Sequence, residues 1–280
     1  MPHTPSPPPS PVPSPPLSAA PPSSPASRAA VVAALRAAGC VFAEDEAELI
    51  LAAAPSPDAA ASMVERRAAG LPLELVVGWA GFLGRRIAVE PGVFVPRRRT
   101  EFLVEQALAQ APGAAVVVDL CCGSGAVGAA LAAGLGEVEL HAADIDPVAV
   151  RCARRNVADL GGQVHTGDLF EALPGGLRGR IDVLAANVPY VPTGEIGLLP
   201  AEARDHEPRV ALDGGADGLD VLRRVAAGAP GWLAPGGCLL AETSRRQAPA
   251  AVAAFTGAGL RTRLAVSEER CAHVVIGVGP

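Results

Sequence analysis

The stretch ANVPY, residues 186–190, closes the apolar run RIDVLAANV and carries the only tyrosine of the chain. An asparagine side-chain carbonyl and the backbone carbonyl after it can each accept one hydrogen of an NH2 group. An aromatic ring beside them can cover a flat amide. Asn187, Val188, Pro189 and Tyr190 are therefore candidates either for holding an amide or amine nitrogen or for an ordinary strand ending in a turn. Upstream, VVVDLCCGSGAVGAAL (116–131) joins an acidic residue, Gly-Ser-Gly and a helical segment. Glycines let a backbone approach a ligand, and a helix N-terminus offers free N–H groups, so Asp119, Cys121, Cys122, Gly123, Ser124 and Gly125 form a nucleotide-type loop. Dinucleotide enzymes use similar turns. Asp144 ends the next strand, 25 residues after Asp119, where a carboxylate can accept both ribose hydroxyls or cap a helix. Asp168, in TGDLF, ends a third strand and could receive an adenine amino group, with Leu169 and Phe170 near the ring, or serve a turn. Three acidic strand ends in order say more than any one alone.

These residues need strands that end at one place. From Val116 onward strands alternate with helices, which implies an α/β, doubly wound parallel sheet over a catalytic domain spanning 99–280. The last two strands, LRTRLAVS and CAHVVIGV, have no helix between them and imply an antiparallel hairpin at the sheet edge. Residues 28–72 read as helices with Gly or cap-type residues at their ends, a domain too small for a large core of its own. Residues 73–98 mix β-branched residues with Gly turns and read as a hairpin linker; Thr100 is a candidate cap for the helix that follows. Residues 1–27 are nearly all Pro, Ser and Ala and are expected to be a disordered, PPII-biased tail.

Composition narrows the function classes. The chain has 280 residues, half of them hydrophobic but only 3% aromatic, so its core is built from Ala, Val and Leu. Every one of the 23 basic residues is Arg, and the net charge is −6. That balance argues against broad phosphate-driven nucleic-acid binding. Arg85–Arg86 and Arg97–Arg99 are local basic runs whose ordinary reading is a salt-bridged face. Six cysteines show no zinc spacing and fit reduced thiols, so no metal is expected. Neither a signal peptide nor a membrane span is evident, and a cytoplasmic monomer is the expectation.

The order DLCCGSGA, ADID, GDLFEAL, ANVPY, EARDHEPRVALDGGADGLD and LAPGGCLLAE resembles the protein glutamine-N5 methyltransferases, whose known members modify the Gly-Gly-Gln glutamine of peptide-chain release factors. AGLPLELVVGWAGFLGRRIAVEPGVFVPRRRTEFLVE looks like that family's linker hairpin, so the resemblance spans roughly residues 30–245. It implies a class I, Rossmann-like fold and S-adenosylmethionine as cofactor. By position, Cys121 to Gly125 would form the methionine-side loop, Asp144 would hold the ribose, and Asp168 with Leu169 would meet adenine. Asn187 to Tyr190 would bind the substrate amide, with Asn187 also near the cofactor. Glu207–Pro208 would support that loop, and Arg97, Thr100 and Glu101 match the element before the core. The helical domain would dock a protein substrate.

Three departures stand out. Cys121 replaces a usual glycine, which is harmless at negative φ and costly at positive φ. PRRRTE carries arginines where Pro-Glu is usual, and NVPY replaces NPPY. Together they suggest a side branch. Two rivals remain: an adenine-N6 nucleic-acid methyltransferase, whose substrate NH2 has the same geometry, and a non-catalytic cofactor binder. A Cys121–Cys122 redox pair is a further, minor reading.

Overall fold

In a computed structural model, residues 27–280 are described. The expected Pro/Ser-rich tail lies outside them, except for Ser27. That residue caps the first helix, α1 (Arg28–Ala37), its Oγ accepting the Ala30 N–H. Helix α2 (Ala43–Ala53) opens on Glu44, Asp45 and Glu46, favourable beside the positive end of the helix dipole. Helix α3 (Pro57–Ala68) has Ser56 as its cap and Pro57 in its first turn. Leu35, Ile50 and Met63 meet in one small core, joined by Val76.

Val76 shows where the hairpin expectation fails. Residues Leu73–Val77 form a short helix, α4, rather than strand. Burial of Leu75 and Val76 against neighbouring elements outweighs the β preference of the two valines. Gly78, at φ 83°, ends the turn in a left-handed cap. The hairpin itself is β1 (Trp79–Phe82) against β2 (Arg85–Ala88). Leu83 and Gly84 both have positive φ, as a two-residue turn in this twist requires. Glu101 holds that turn by accepting the Leu83 N–H at 2.9 Å.

The remainder of the chain is built on a seven-stranded sheet in the order β5-β4-β3-β6-β7-β9-β8. Its strands are β3 (Val116–Leu120), β4 (Glu139–Asp144), β5 (Gln163–Thr166), β6 (Ile181–Ala186), β7 (Leu233–Thr243), β8 (Arg261–Ser267) and β9 (Ala272–Val278). The first five run parallel, and β9 runs antiparallel to both of its neighbours, β7 and β8. The terminal hairpin is at the edge as expected, but β9 is interior and β8 takes the rim. Burial decides this: AHVVIGV is nearly continuous apolar sequence, whereas RTRLAVS alternates with exposed arginines.

Helices α5 (Glu101–Gln110), α6 (Ala126–Leu135), α7 (Pro147–Val157), α8 (Ala201–His206), α9 (Asp220–Gly228) and α10 (Ala248–Gly257) complete the domain. One face of the sheet packs Leu103, Leu131 and Leu140, and the other packs Leu184, Leu222 and Phe255. In α6, Gly128 brings the helix onto β3, where a Cβ would stand 3.2 Å from Asp119. Among the described residues, no helix is long and apolar enough to cross a membrane.

Candidate active site

Strand order reverses between β3 and β6, because β4 lies on one side of β3 and β6 on the other. Connections leaving in opposite directions open a crevice at the carboxyl ends of the two strands. A cavity of about 660 Å³ opens there, and it is lined by every candidate site residue except Gly125, Phe170 and Glu101. Cys121 and Asn187, which follow β3 and β6, both line it.

On the β3–β4 side, the loop is built on its own backbone. Cys122 N–H donates to the Ala143 carbonyl at 3.1 Å, and Gly123 N–H donates to Asp144 Oδ2 at 2.9 Å. Asp144 Oδ1 accepts the Asp146 N–H at 2.9 Å. The capping role open to Asp144 belongs instead to Asp146, whose Oδ1 accepts the Val148 N–H at the start of α7. Asp144 is thereby left at the strand end with lone pairs to spare. Burial raises its carboxyl above the ordinary range, and the backbone N–H groups of Asp146 and Gly123 oppose that. Asp119 is fully buried. Its Oδ2 accepts the Gly128 N–H at 2.8 Å, while Oδ1 is buried with no partner among the described residues. Burial pushes this carboxyl up to about 8.

Cys121 lies at φ 55°, in the left-handed region. The replacement of glycine is therefore not conformationally neutral. A side chain at such an angle costs about 1–2 kcal/mol, part of which returns because Cys121 packs against the apolar cluster under the sheet. Cys121→Gly is expected to raise stability by about 0.5–1 kcal/mol, after the extra chain entropy of glycine is set against the relieved strain. Chemical denaturation with cofactor absent measures it; a loss of stability would mean the thiol's packing outweighs the strain. Burial also pushes both the Cys121 and Cys122 thiols upward, so they stay protonated and the redox-pair reading gains no support.

On the β5 side, Leu169 is buried at φ 50° and lines the cavity. Asp168 faces the same space, paired with Arg224 of α9 at 2.7 Å. Phe170 departs from expectation: it stacks on Trp232 at 5.6 Å in the apolar core and takes no part in the cavity. Aromatic burial was the stronger pull.

The ANVPY loop is held from behind. Val191 N–H donates to the Leu212 carbonyl and Gly214 N–H returns to the Val191 carbonyl, both at 2.9 Å. Gln247 Nε2 donates to the Tyr190 carbonyl at 2.8 Å. A side chain at Gly218 would stand 2.3 Å from that same oxygen, which accounts for the glycine that ends the DGGADG run. Val188 is buried in the apolar cluster, so its side chain anchors the loop that a second proline would have stiffened. The Asn187 Oδ1 is buried without a partner among the described residues, and its Nδ2 faces Thr100 Oγ1 at 3.5 Å.

Thr100 caps nothing. It is in helical conformation and its Oγ1 donates to Glu242 Oε2 at 2.6 Å. Tyr190 Oη donates to Glu242 Oε1 at 3.0 Å, and Arg99 reaches both Glu242 Oε1, at 2.9 Å, and Tyr190 Oη. Arg97 donates to Glu207 Oε1 at 2.6 Å, beside the Val95 N–H. The basic run 97–99 is thus largely a salt-bridged face. Glu242 was missed in the sequence although it had the same signal as Asp144: a carboxylate near the carboxyl end of a buried parallel strand.

Residues 84–198 match the family described as the methyltransferase small domain. A release factor glutamine methyltransferase from Geobacter sulfurreducens is 40% identical over 199 residues, covering 70% of this chain and 69% of the relative. One from Mycolicibacterium smegmatis is 38% identical, covering 82% of this chain and 88% of the relative. The chain belongs to the release factor glutamine methyltransferase family. A 4-amino-L-phenylalanine/4-methylamino-L-phenylalanine methyltransferase from Streptomyces pristinaespiralis is also similar, 35% identical over 80% of this chain and 78% of that one. A solved methyltransferase from Pyrococcus furiosus superposes with a TM-score of 0.54 at 16% identity, covering 71% of this chain and 91% of that one. That likeness establishes the class I, Rossmann-like methyltransferase fold.

S-adenosylmethionine is the methyl donor of this family, and the site suits it. The donor carries sulfonium and ammonium charges, and Asp144 and Asp168 put carboxyl groups on the cavity wall. The partnerless Asp119 Oδ1 has acceptor capacity left.

Proposed function

We propose that this protein transfers the methyl group of S-adenosylmethionine to the N5 amide nitrogen of a glutamine in a peptide-chain release factor. The observation that carries this reading is the partnerless, buried Oδ1 of Asn187 at the cavity wall. A buried carbonyl without a donor costs about 1–3 kcal/mol, and an N–H of the substrate amide is the donor that would satisfy it. The Val188 carbonyl would accept the second N–H, and Tyr190 would cover the flat amide. Asp144 would hold the ribose hydroxyls, Asp168 and Leu169 would receive adenine, and the 121–125 loop would cradle the methionine end.

The sulfonium, when bound, supplies a methyl already activated for displacement. What the chain contributes is alignment. Two carbonyl acceptors orient the amide nitrogen and favour the positive charge that grows on it in the transition state. Among the described residues lining the cavity there is no histidine.

The helical domain, residues 28–72, is the proposed dock for the protein substrate. Arg67 of α3 supports this: it pairs with Glu46 within that domain at 2.6 Å and with Glu202 of α8, at the cavity, at 2.7 Å. We further propose a cytoplasmic monomer. A nucleic-acid acceptor is not favoured, since Arg97 and Arg99 are engaged by Glu207 and Glu242 rather than offered to phosphates.

A second reading takes a small aromatic amine as acceptor, on the strength of the arylamine-methylating relative. Its NH2 also sits on a flat group. One experiment separates the two. Labelled cofactor is offered with a release factor carrying Gly-Gly-Gln, and separately with 4-amino-L-phenylalanine. Mass spectrometry is expected to find one methyl on the Gly-Gly-Gln glutamine. Label on the amino acid alone would overturn the release-factor reading.

A further inference from the structure

We infer that Thr100 and Glu242 form a relay that fixes which way the Asn187 carboxamide points. The inference rests on the amide-binding reading of Asn187. A threonine hydroxyl has one hydrogen to give. Thr100 gives it to Glu242 Oε2 at 2.6 Å, and the carboxylate offers nothing back. Thr100 Oγ1 can then only accept from its other neighbour, which is Asn187 at 3.5 Å. The Asn187 NH2 therefore turns toward Thr100, and Oδ1 is left for the substrate. The reverse flip would set two acceptors against each other at Thr100 and present an NH2 to the substrate's own NH2.

Glu242 can act as the fixed end because it is held from the other side. It is buried at the end of β7, and its Oε1 accepts from Arg99 Nε at 2.9 Å and from Tyr190 Oη at 3.0 Å. The guanidinium also lies over the Tyr190 ring, 5.8 Å from its centroid. One carboxylate thus sets both the amide acceptor and the aromatic cover, from three separate segments of the chain. Arg99 brings the PRRRTE stretch into this arrangement. Thr100 and Glu242 are positioning residues: they act on the substrate through Asn187 and Tyr190.

Thr100→Val keeps the side-chain shape and removes the hydroxyl. It is expected to lower kcat about 10- to 100-fold, with KM for the release factor and cofactor affinity each within about three-fold. Thr100→Ser restores the hydroxyl and is expected to recover kcat to within about three-fold of the parent. Glu242→Gln puts an NH2 into the network, makes the Thr100 hydroxyl an acceptor from it, and is expected to lower kcat like Thr100→Val while the protein stays folded. Thermal melts and calorimetry with S-adenosylhomocysteine run alongside. Parental kcat in Thr100→Val, or a serine variant as slow as the valine one, overturns the relay. If Asn187→Ala is inactive while Thr100→Val is active, the relay alone fails. If Asn187→Ala is active, the amide-contact reading fails and the relay falls with it.

Discussion

Asn187→Ala abolishes most methyl transfer, lowering kcat about 10²- to 10³-fold, while cofactor affinity stays within a few-fold. The magnitude is that of removing one preorganised polar contact from a developing charge. The separation of effects follows from the geometry. Asn187 Oδ1 is partnerless and buried, and the residue's one side-chain bond runs to Thr100. Its loss breaks no bond within the 121–125 loop or to Asp144. Single-turnover transfer at saturating cofactor, with calorimetry for binding, measures the two quantities. Near-parental transfer would remove Asn187 from the reaction. An equal collapse of cofactor affinity would make it a cofactor residue instead.

Asp144→Ala does the opposite: cofactor affinity falls about 100-fold, and kcat at saturating cofactor changes little. Two hydrogen bonds to a charged acceptor are worth about 3 kcal/mol together, which corresponds to that factor. The same substitution strips acceptors from the Gly123 and Asp146 N–H groups, so the loop loosens as well. Asp144→Asn keeps one acceptor and is expected to fall between parent and alanine. Helix α7 keeps its cap, because Asp146 supplies it. Calorimetric titration settles this, and unchanged affinity in Asp144→Ala would take the residue out of the ribose site.

The substitution in NVPY takes a different weight once the packing is known. In the sequence, Val188 removes a constraint that a proline would place on Asn187. In the structure its side chain is buried in the apolar cluster, and the loop is held by Leu212, Gly214 and Gln247. Core anchoring supplies the rigidity that the missing ring does not.

The sequence alone was enough for the parallel sheet, the Gly-rich loop, the acidic strand ends and the ANVPY stretch. Each is a contiguous signal: an apolar strand, a turn and a helix start lie within a few residues of one another, so local pattern and local structure coincide. The antiparallel terminal pair was legible for the same reason. Other features depended on partners far along the chain. Leu73–Val77 is helical because of what buries Val76, and Phe170 faces Trp232 rather than the cavity. Cys121 gives no hint of its left-handed backbone, since a residue type shows its conformation only when, like glycine, it is chosen for it. The largest gap is Thr100, Tyr190 and Glu242, with Arg99. These residues stand 52 to 143 positions apart in their paired contacts and have no common period or motif. Only the closing of β6 and β7 beside the start of α5 brings them to one carboxylate, next to the Asn187 carboxamide.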